Sequence, residues 1–228
     1  MRVRLVRGVA FSLVAVALAA RPQARSSTLL QRFLALDDPD PVQYRALRHL
    51  EADNTRFDSS ARMDVWTEAD ANGFRYQIVS QEGSEYIRSR IFKATLETER
   101  TMWGGPSASR AAFTIDNYVF EDRGVQHEGL SSLTVKPRRK DMLLVDGALY
   151  LDPIDGELMR MEGTLARTPS FWTRRVEIRR WYKRFVGVRL PIAVESVANV
   201  HVAGRSTFRM TYAYESVNGT PVAVPHAP

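Results

Sequence analysis

Apolar and polar residues change period along this chain. Leu29 to Leu36 carries a helical pattern that Asp37-Asp38-Pro39-Asp40-Pro41 interrupts. Asp40 suits an N-cap and Pro41 a first helical position. Val42, Ala46, Leu47 and Leu50 then recur at helical spacing, which predicts a second helix ending near Asn54. Period two follows. Met63, Val65 and Thr67 alternate with charged residues, Ala71-Asn72-Gly73 marks a turn, and Phe74, Tyr76 and Ile78 alternate again, predicting a β-hairpin. Ser84 is positioned to cap the longest helix, whose stripe Ile87, Ile91, Phe92, Leu96 and Trp103 ends at Gly104-Gly105-Pro106.

From Phe113 the pattern is strand after strand. Segments 118–120, 133–135, 142–145, 148–151, 158–165, 176–185, 188–202 and 207–215 are separated by turn signals. These include Asp146-Gly147, Pro153-Ile154-Asp155-Gly156, Gly187, Gly204 and Asn218-Gly219. In the last two strands Val188, Leu190, Ile192 and Val194 share one parity, and Phe208, Met210, Tyr212 and Tyr214 another. A sheet with one apolar face must cover it, and the helices are the available cover. The fold class is therefore α+β: a large curved antiparallel sheet with helices over its concave apolar face. Two readings of that face stay open, a packed helix-on-sheet core and a partly open groove for an acyl chain.

The first twenty residues change the picture. Arg2, Arg4 and Arg7 precede an uncharged apolar run from Gly8 to Ala20, and Ala17-Leu18-Ala19 offers an A-x-A cleavage pattern. The run is shorter than the roughly 20 residues of a membrane span. Residues 1–19 are expected to be a signal peptide. Residues 20–228 are expected to form one domain with a loose tail over 220–228, not integral to the membrane once cleaved. The chain's formal net charge is +6, and half of that excess lies in the leader, too mild for a nucleic-acid binder. There is no cysteine, which excludes thiolate chemistry, disulfides and a lipid-attachment site.

Helices before a hairpin, a crossing helix and a strand meander containing Leu149-Tyr150-Leu151-Asp152-Pro153-Ile154-Asp155-Gly156-Glu157-Leu158 resemble the outer-membrane lipoprotein-sorting superfamily, LolA-like and RseB-like. The resemblance implies an unclosed half-barrel with a helical lid, a cavity for acyl chains, a periplasmic location in a Gram-negative envelope, no enzymatic activity and no cofactor. The expected ligand is a lipid or a lipoprotein acyl chain. The family's lid-holding basic strand residue cannot be placed by motif in this sequence.

The residues of apolar parity expected to line the concavity are Tyr76, Phe120, Leu149, Met161, Ile178, Val194, Phe208, Met210 and Tyr212. A second set suits an envelope-protein partner or a gate: Phe171 and Trp172 in a loop, then Arg175, Arg179 and Lys183 in a basic strand that also holds Arg174, Arg180 and Arg184. Such a run equally suits the wet face of a strand, where charge blocks edge pairing. A scaffold with a collapsed groove is therefore the alternative function. His49, His127, His201 and His226 lack metal-ligand spacing, and no metal site is expected. No hydrolase elbow, zinc-protease motif or nucleotide-binding loop occurs, which leaves a hydrolase with a dispersed triad as a minor alternative. Asp152 and Asp155 read as turn residues.

Overall fold

The computed structural model describes residues 28–105, 107–168, 173–201 and 204–222. The leader, Phe171, Trp172, Val202 and His226 lie outside the described residues, as does the side chain of Arg174. The fold is α+β, an unclosed antiparallel sheet with helices on one face. Its elements are α1 (Thr28–Ala35), β1 (Tyr44–Asn54), β2 (Ser59–Asp70), β3 (Gly73–Gly83), α2 (Glu85–Ile87), a π-helical segment (Arg88–Lys93), α3 (Ala94–Met102) and α4 (Ser107–Ala111). The strands β4 (Tyr118–His127), β5 (Leu130–Pro137), β6 (Val145–Leu151), β7 (Leu158–Leu165), β8 (Thr173–Phe185), β9 (Val188–Val200), β10 (Gly204–Val217) and β11 (Thr220–Pro221) follow.

The strands run in the order β3-β2-β1-β10-β9-β8-β7-β6-β5-β4, with β11 beside β10. Each is antiparallel to its neighbour, so β1 lies inside the sheet between β2 and β10, and β3 and β4 form the two edges. Two apolar clusters occupy the covered face. Ile87, Phe92 and Leu96 from the long helix pack on Ala46, Leu50, Met63, Val65 and Met210. Leu29 and Phe33 of α1 pack on Tyr118, Leu133, Leu149 and Met161.

Three sequence expectations are corrected. The second helix does not form: its residues are β1. Tyr44, Ala46, Arg48, Leu50 and Ala52 are all buried, and their neighbours between are not. The alternation was disguised because a covered position holds Arg48 and an outer one Leu47. Pairing along both sides, with β2 and β10, overrides the helical propensity of Ala, Leu, Arg and Glu. Met142 to Leu144 is a turn rather than strand, and Asp146-Gly147 is strand rather than turn. Gly147 faces Gly163 across β6 and β7. A Cβ on Gly147 would collide with the Glu162 carbonyl, so glycine here answers to the close approach of two backbones, not to a turn. Finally, Ile91 leaves the helix stripe and is 39 % exposed. The π-helical turn inserts a residue, so the buried series runs Ile87, Phe92, Leu96.

Ser84 caps the long helix as expected, its Oγ accepting from Ile87 N at 3.5 Å. The Asp-Pro-Ile-Asp-Gly turn is held by its own carboxylates: Asp152 Oδ1 accepts from Ile154 N at 2.7 Å and Asp155 Oδ1 from Glu157 N at 2.8 Å. Gly156 has a positive φ of 80° and lies against α1, where a Cβ would sit 3.0 Å from Phe33 N. The Arg32 guanidinium donates to the Ile154 carbonyl from the helix side. The turn that carries the sequence resemblance is thus the platform on which α1 rests.

Candidate functional site between sheet and helices

A buried polar network sits within the α3-side cluster. Arg48, on β1, is 1 % exposed. Its Nη1 donates to Glu99 Oε2 at 2.6 Å and its Nη2 to Glu99 Oε1 at 2.8 Å, a bidentate pair between the sheet and α3. Nη2 also donates to the Tyr44 hydroxyl at 2.6 Å, and Nε to Thr67 Oγ1 at 3.0 Å. Tyr44 OH in turn donates to Glu99 Oε1 at 2.8 Å, and Thr67 Oγ1 to the Ala46 carbonyl at 3.1 Å. The guanidinium lies 4.7 Å from the Tyr212 ring and 5.3 Å from that of Phe74. Burial alone would raise the Glu99 carboxyl, but the hydrogen bond and charge of Arg48 outweigh it and hold the group below the usual carboxylate range. Burial pushes the Tyr44 hydroxyl well above its ordinary value, so it remains a donor. Two further bonds tie the long helix down: Tyr76 OH to Glu97 Oε1 at 2.7 Å, and Trp103 Nε1 to the Asp70 carbonyl at 2.9 Å.

The other end of the covered face is held more lightly. Two buried side chains, Leu29 and Phe33, anchor α1, and the linker after it is fixed where Asp38 meets Arg189 and Arg184. Burial raises the Asp38 carboxyl, against the pull of Arg189 and Arg184. Beneath α1 lies a cavity of about 810 Å³, whose apolar wall includes Phe33, Leu34, Phe113, Met161, Leu165 and Ile178. Its polar lining includes Asp38, Arg180, Tyr182 and Arg189. A second hollow of about 710 Å³ lies beside Met102, Trp103 and the β2–β3 turn. It shares Asp40, Ala111 and Leu143 with the first, so the two meet across the linker before β1.

All nine residues expected to line the concavity sit among the buried or half-buried positions of the sheet. Met161 and Ile178 line the cavity under α1. Leu149 is packed in the α1-side cluster with Phe120 against it. Met210 is in the α3-side cluster, with Tyr76, Phe208 and Tyr212 against it. Val194 is buried opposite Met210 and Arg180. Parity finds the covered face but not the empty part of it, because a cavity depends on how far the helices stand off. Arg48, Glu99 and Arg180 were missed as site residues. The available signal for Arg48 was an arginine at an otherwise apolar parity, and it was hidden by reading the segment as a helix.

Of the partner set, Arg175, Arg179 and Lys183 are exposed. Arg179 pairs with Glu162 at 2.8 Å and Arg175 with Glu177 at 3.2 Å, a charge ladder on the uncovered face. Arg180 departs from the run: strand alternation turns it inward beside Ile178 and Tyr182. The nearest approach to a catalytic triad is His49, Asp64 and Ser80. Both His49 Nδ1 (2.6 Å) and Ser80 Oγ (2.8 Å) bond to the Asp64 carboxylate, so the serine is bonded to the aspartate and not to the imidazole, and the group is exposed. Among the described residues no three His, Cys, Asp or Glu side chains cluster as a metal site, and no helix is long and apolar enough to cross a membrane.

No protein-family profile matches the sequence, and no curated protein gives a significant match. Solved structures of similar fold exist at low identity. A domain provisionally described as an outer membrane lipoprotein-sorting protein from Vibrio parahaemolyticus is 11 % identical. It covers 84 % of this chain and 91 % of its own, with a TM-score of 0.42. A LolA superfamily protein from Nitrosomonas europaea is 7 % identical over 86 % of this chain and 93 % of its own, with a TM-score of 0.41. A DUF1329 family protein from Desulfovibrio piger is 6 % identical over 81 % and 88 %, with a TM-score of 0.36. At these identities and TM-scores the likeness is a remote one of fold.

Proposed function

We propose that this chain is an exported, non-enzymatic carrier or sensor that buries an acyl chain between its sheet and helices. The observation that carries the reading is the cavity of about 810 Å³ under α1, within the range of about 300–1,000 Å³ of small-molecule sites. The apolar part of its wall is built of aliphatic and aromatic side chains, among them Phe33, Met161, Leu165 and Ile178. Each methylene removed from water there contributes about 0.8 kcal/mol. The two ends of the cover differ in their attachment, which assigns them different jobs. The long helix, bound through Arg48–Glu99, Tyr76–Glu97 and Trp103–Asp70, is the fixed wall. The short α1, held by Leu29, Phe33, the Arg32 bond to the Ile154 carbonyl and the Asp38 linkage, is the part that moves to admit the chain. A periplasmic location fits a ligand that needs cover while crossing water, and agrees with the leader read from the sequence.

Native mass spectrometry of the protein purified from an envelope extract tests the reading. A co-purifying lipid or acyl species, displaced by added fatty acid, is the expected result. Its reproducible absence, together with no enhancement of a fluorescent acyl probe, overturns it.

A further inference from the structure

Arg180 lines the cavity under α1 and has no carboxylate in ion-pair contact among the described residues. The other charges nearby are matched: Asp38 is taken by Arg189 and Arg184, and Glu99 by Arg48. Arg180 interacts with Tyr182, and Glu99 acts on it only from a distance. Its Nε is buried without a hydrogen-bond partner among the described residues. An arginine with a buried, unpartnered nitrogen and no counter-ion is a receptor for a carboxylate, since charge-assisted bonds replace lost hydration. Next to Arg180, Met161, Leu165, Ile178, Phe113 and Phe33 supply a continuous apolar wall.

We propose that the cavity under α1 takes a single-chain fatty acid in its ionised form, with the carboxylate on the Arg180 guanidinium and the chain along the Met161, Ile178 and Phe33 side. This rests on the acyl-binding reading above and adds to it a charged head group and a fixed orientation. Charge complementarity selects the free acid: an ester-linked or amide-linked acyl group brings no anion to the cation, and leaves it as poorly satisfied as before. Arg175, five residues earlier and exposed on the other face, is already paired with Glu177 and serves as the control position.

The test compares cis-parinaric acid with its methyl ester, two probes of one chain that differ in head-group charge, by fluorescence titration of the purified full chain at pH 7.5. The acid binds the unaltered protein roughly tenfold more tightly than the ester, as one charge-assisted contact provides. Arg180→Gln brings the two to near parity by weakening the acid alone, and Arg175→Gln leaves the ratio unchanged. Equal binding of acid and ester by the unaltered protein overturns the charged-head proposal and leaves acyl binding standing. A folded Arg180→Gln protein that keeps the preference overturns the assignment to Arg180. Binding of neither probe overturns both. Should Arg180→Gln not fold, the acid-to-ester ratio of the unaltered protein still decides, since it must fall towards one as the fatty acid is protonated at lower pH.

Discussion

Glu99 of the long helix accepts hydrogen bonds from both terminal nitrogens of Arg48 on the inner strand β1, at 2.6 and 2.8 Å, and so fastens the helical cover to the sheet. The arginine is almost wholly buried, and the glutamate is 31 % exposed. The two partners therefore respond differently to removal.

Glu99→Ala leaves a buried guanidinium without its counter-ion. The expected loss is about 3 kcal/mol, the low end for a broken buried pair because Glu99 keeps some contact with water. For a chain of this size that is a fall of roughly 6–12 °C in the thermal midpoint. The double change Arg48→Met, Glu99→Leu is expected to recover most of the loss, because apolar groups of similar volume often replace a buried pair without penalty. Calorimetry of the three proteins checks this. A single change as mild as the double one contradicts it.

The pair also sets an acid limit. Glu99 is held below its ordinary carboxyl value of 4.5, so its contribution is complete above that value and is lost as pH falls through the depressed one. Urea midpoints measured from pH 7 down to pH 3 should stay level to about pH 5 and then drop. In Glu99→Gln the part of the drop due to this carboxyl should vanish. An unchanged acid profile in that variant argues against the role of the pair.

Gly147→Ala tests the close approach of β6 and β7. A methyl group there meets the Glu162 carbonyl, which belongs to backbone and cannot swing away. Overpacking of this kind costs about 1–3 kcal/mol, although Gly→Ala in an open strand ordinarily helps. Gly129→Ala is a poor control because of its φ of 78°. Ala148→Ser, one residue on and facing the opposite side, is a better one. Chemical denaturation ranks the two, and a neutral Gly147→Ala sinks the argument.

The unequal attachment of the cover predicts unequal opening. Amide hydrogens of α1 should exchange early, while those of β1 and β10, paired on both sides, resist to the level of global unfolding. Phe33→Ala should speed exchange in α1 further without altering α3. Uniform protection of both helical segments rules out α1 as the moving part.

The sheet was legible from sequence because its evidence is local. Strand alternation and the turns at Asn72-Gly73, Asp155-Gly156, Val186-Gly187 and Asn218-Gly219 lie within a few residues of one another. β1 was not legible, because its identity comes from two strands that flank it in space and not in sequence. The candidate site was half legible: parity put Met161 and Ile178 on the covered face, and both line the cavity. Arg180 was read with the charged run around it. Its direction follows from the pleat, but its significance depends on Asp38 and Glu99 being committed elsewhere, which no spacing reveals.

Because Tyr44 pairs with Val217, the earliest long strand finds one of its two partners only in the latest one. No N-terminal fragment can complete this sheet, and the middle of the fold is left with an open edge until almost the whole chain has been synthesised. Such non-local pairing slows folding. The cavity under α1, lined by β7, β8 and β9, therefore sits in a sheet that is complete only when the last long strand has joined the first.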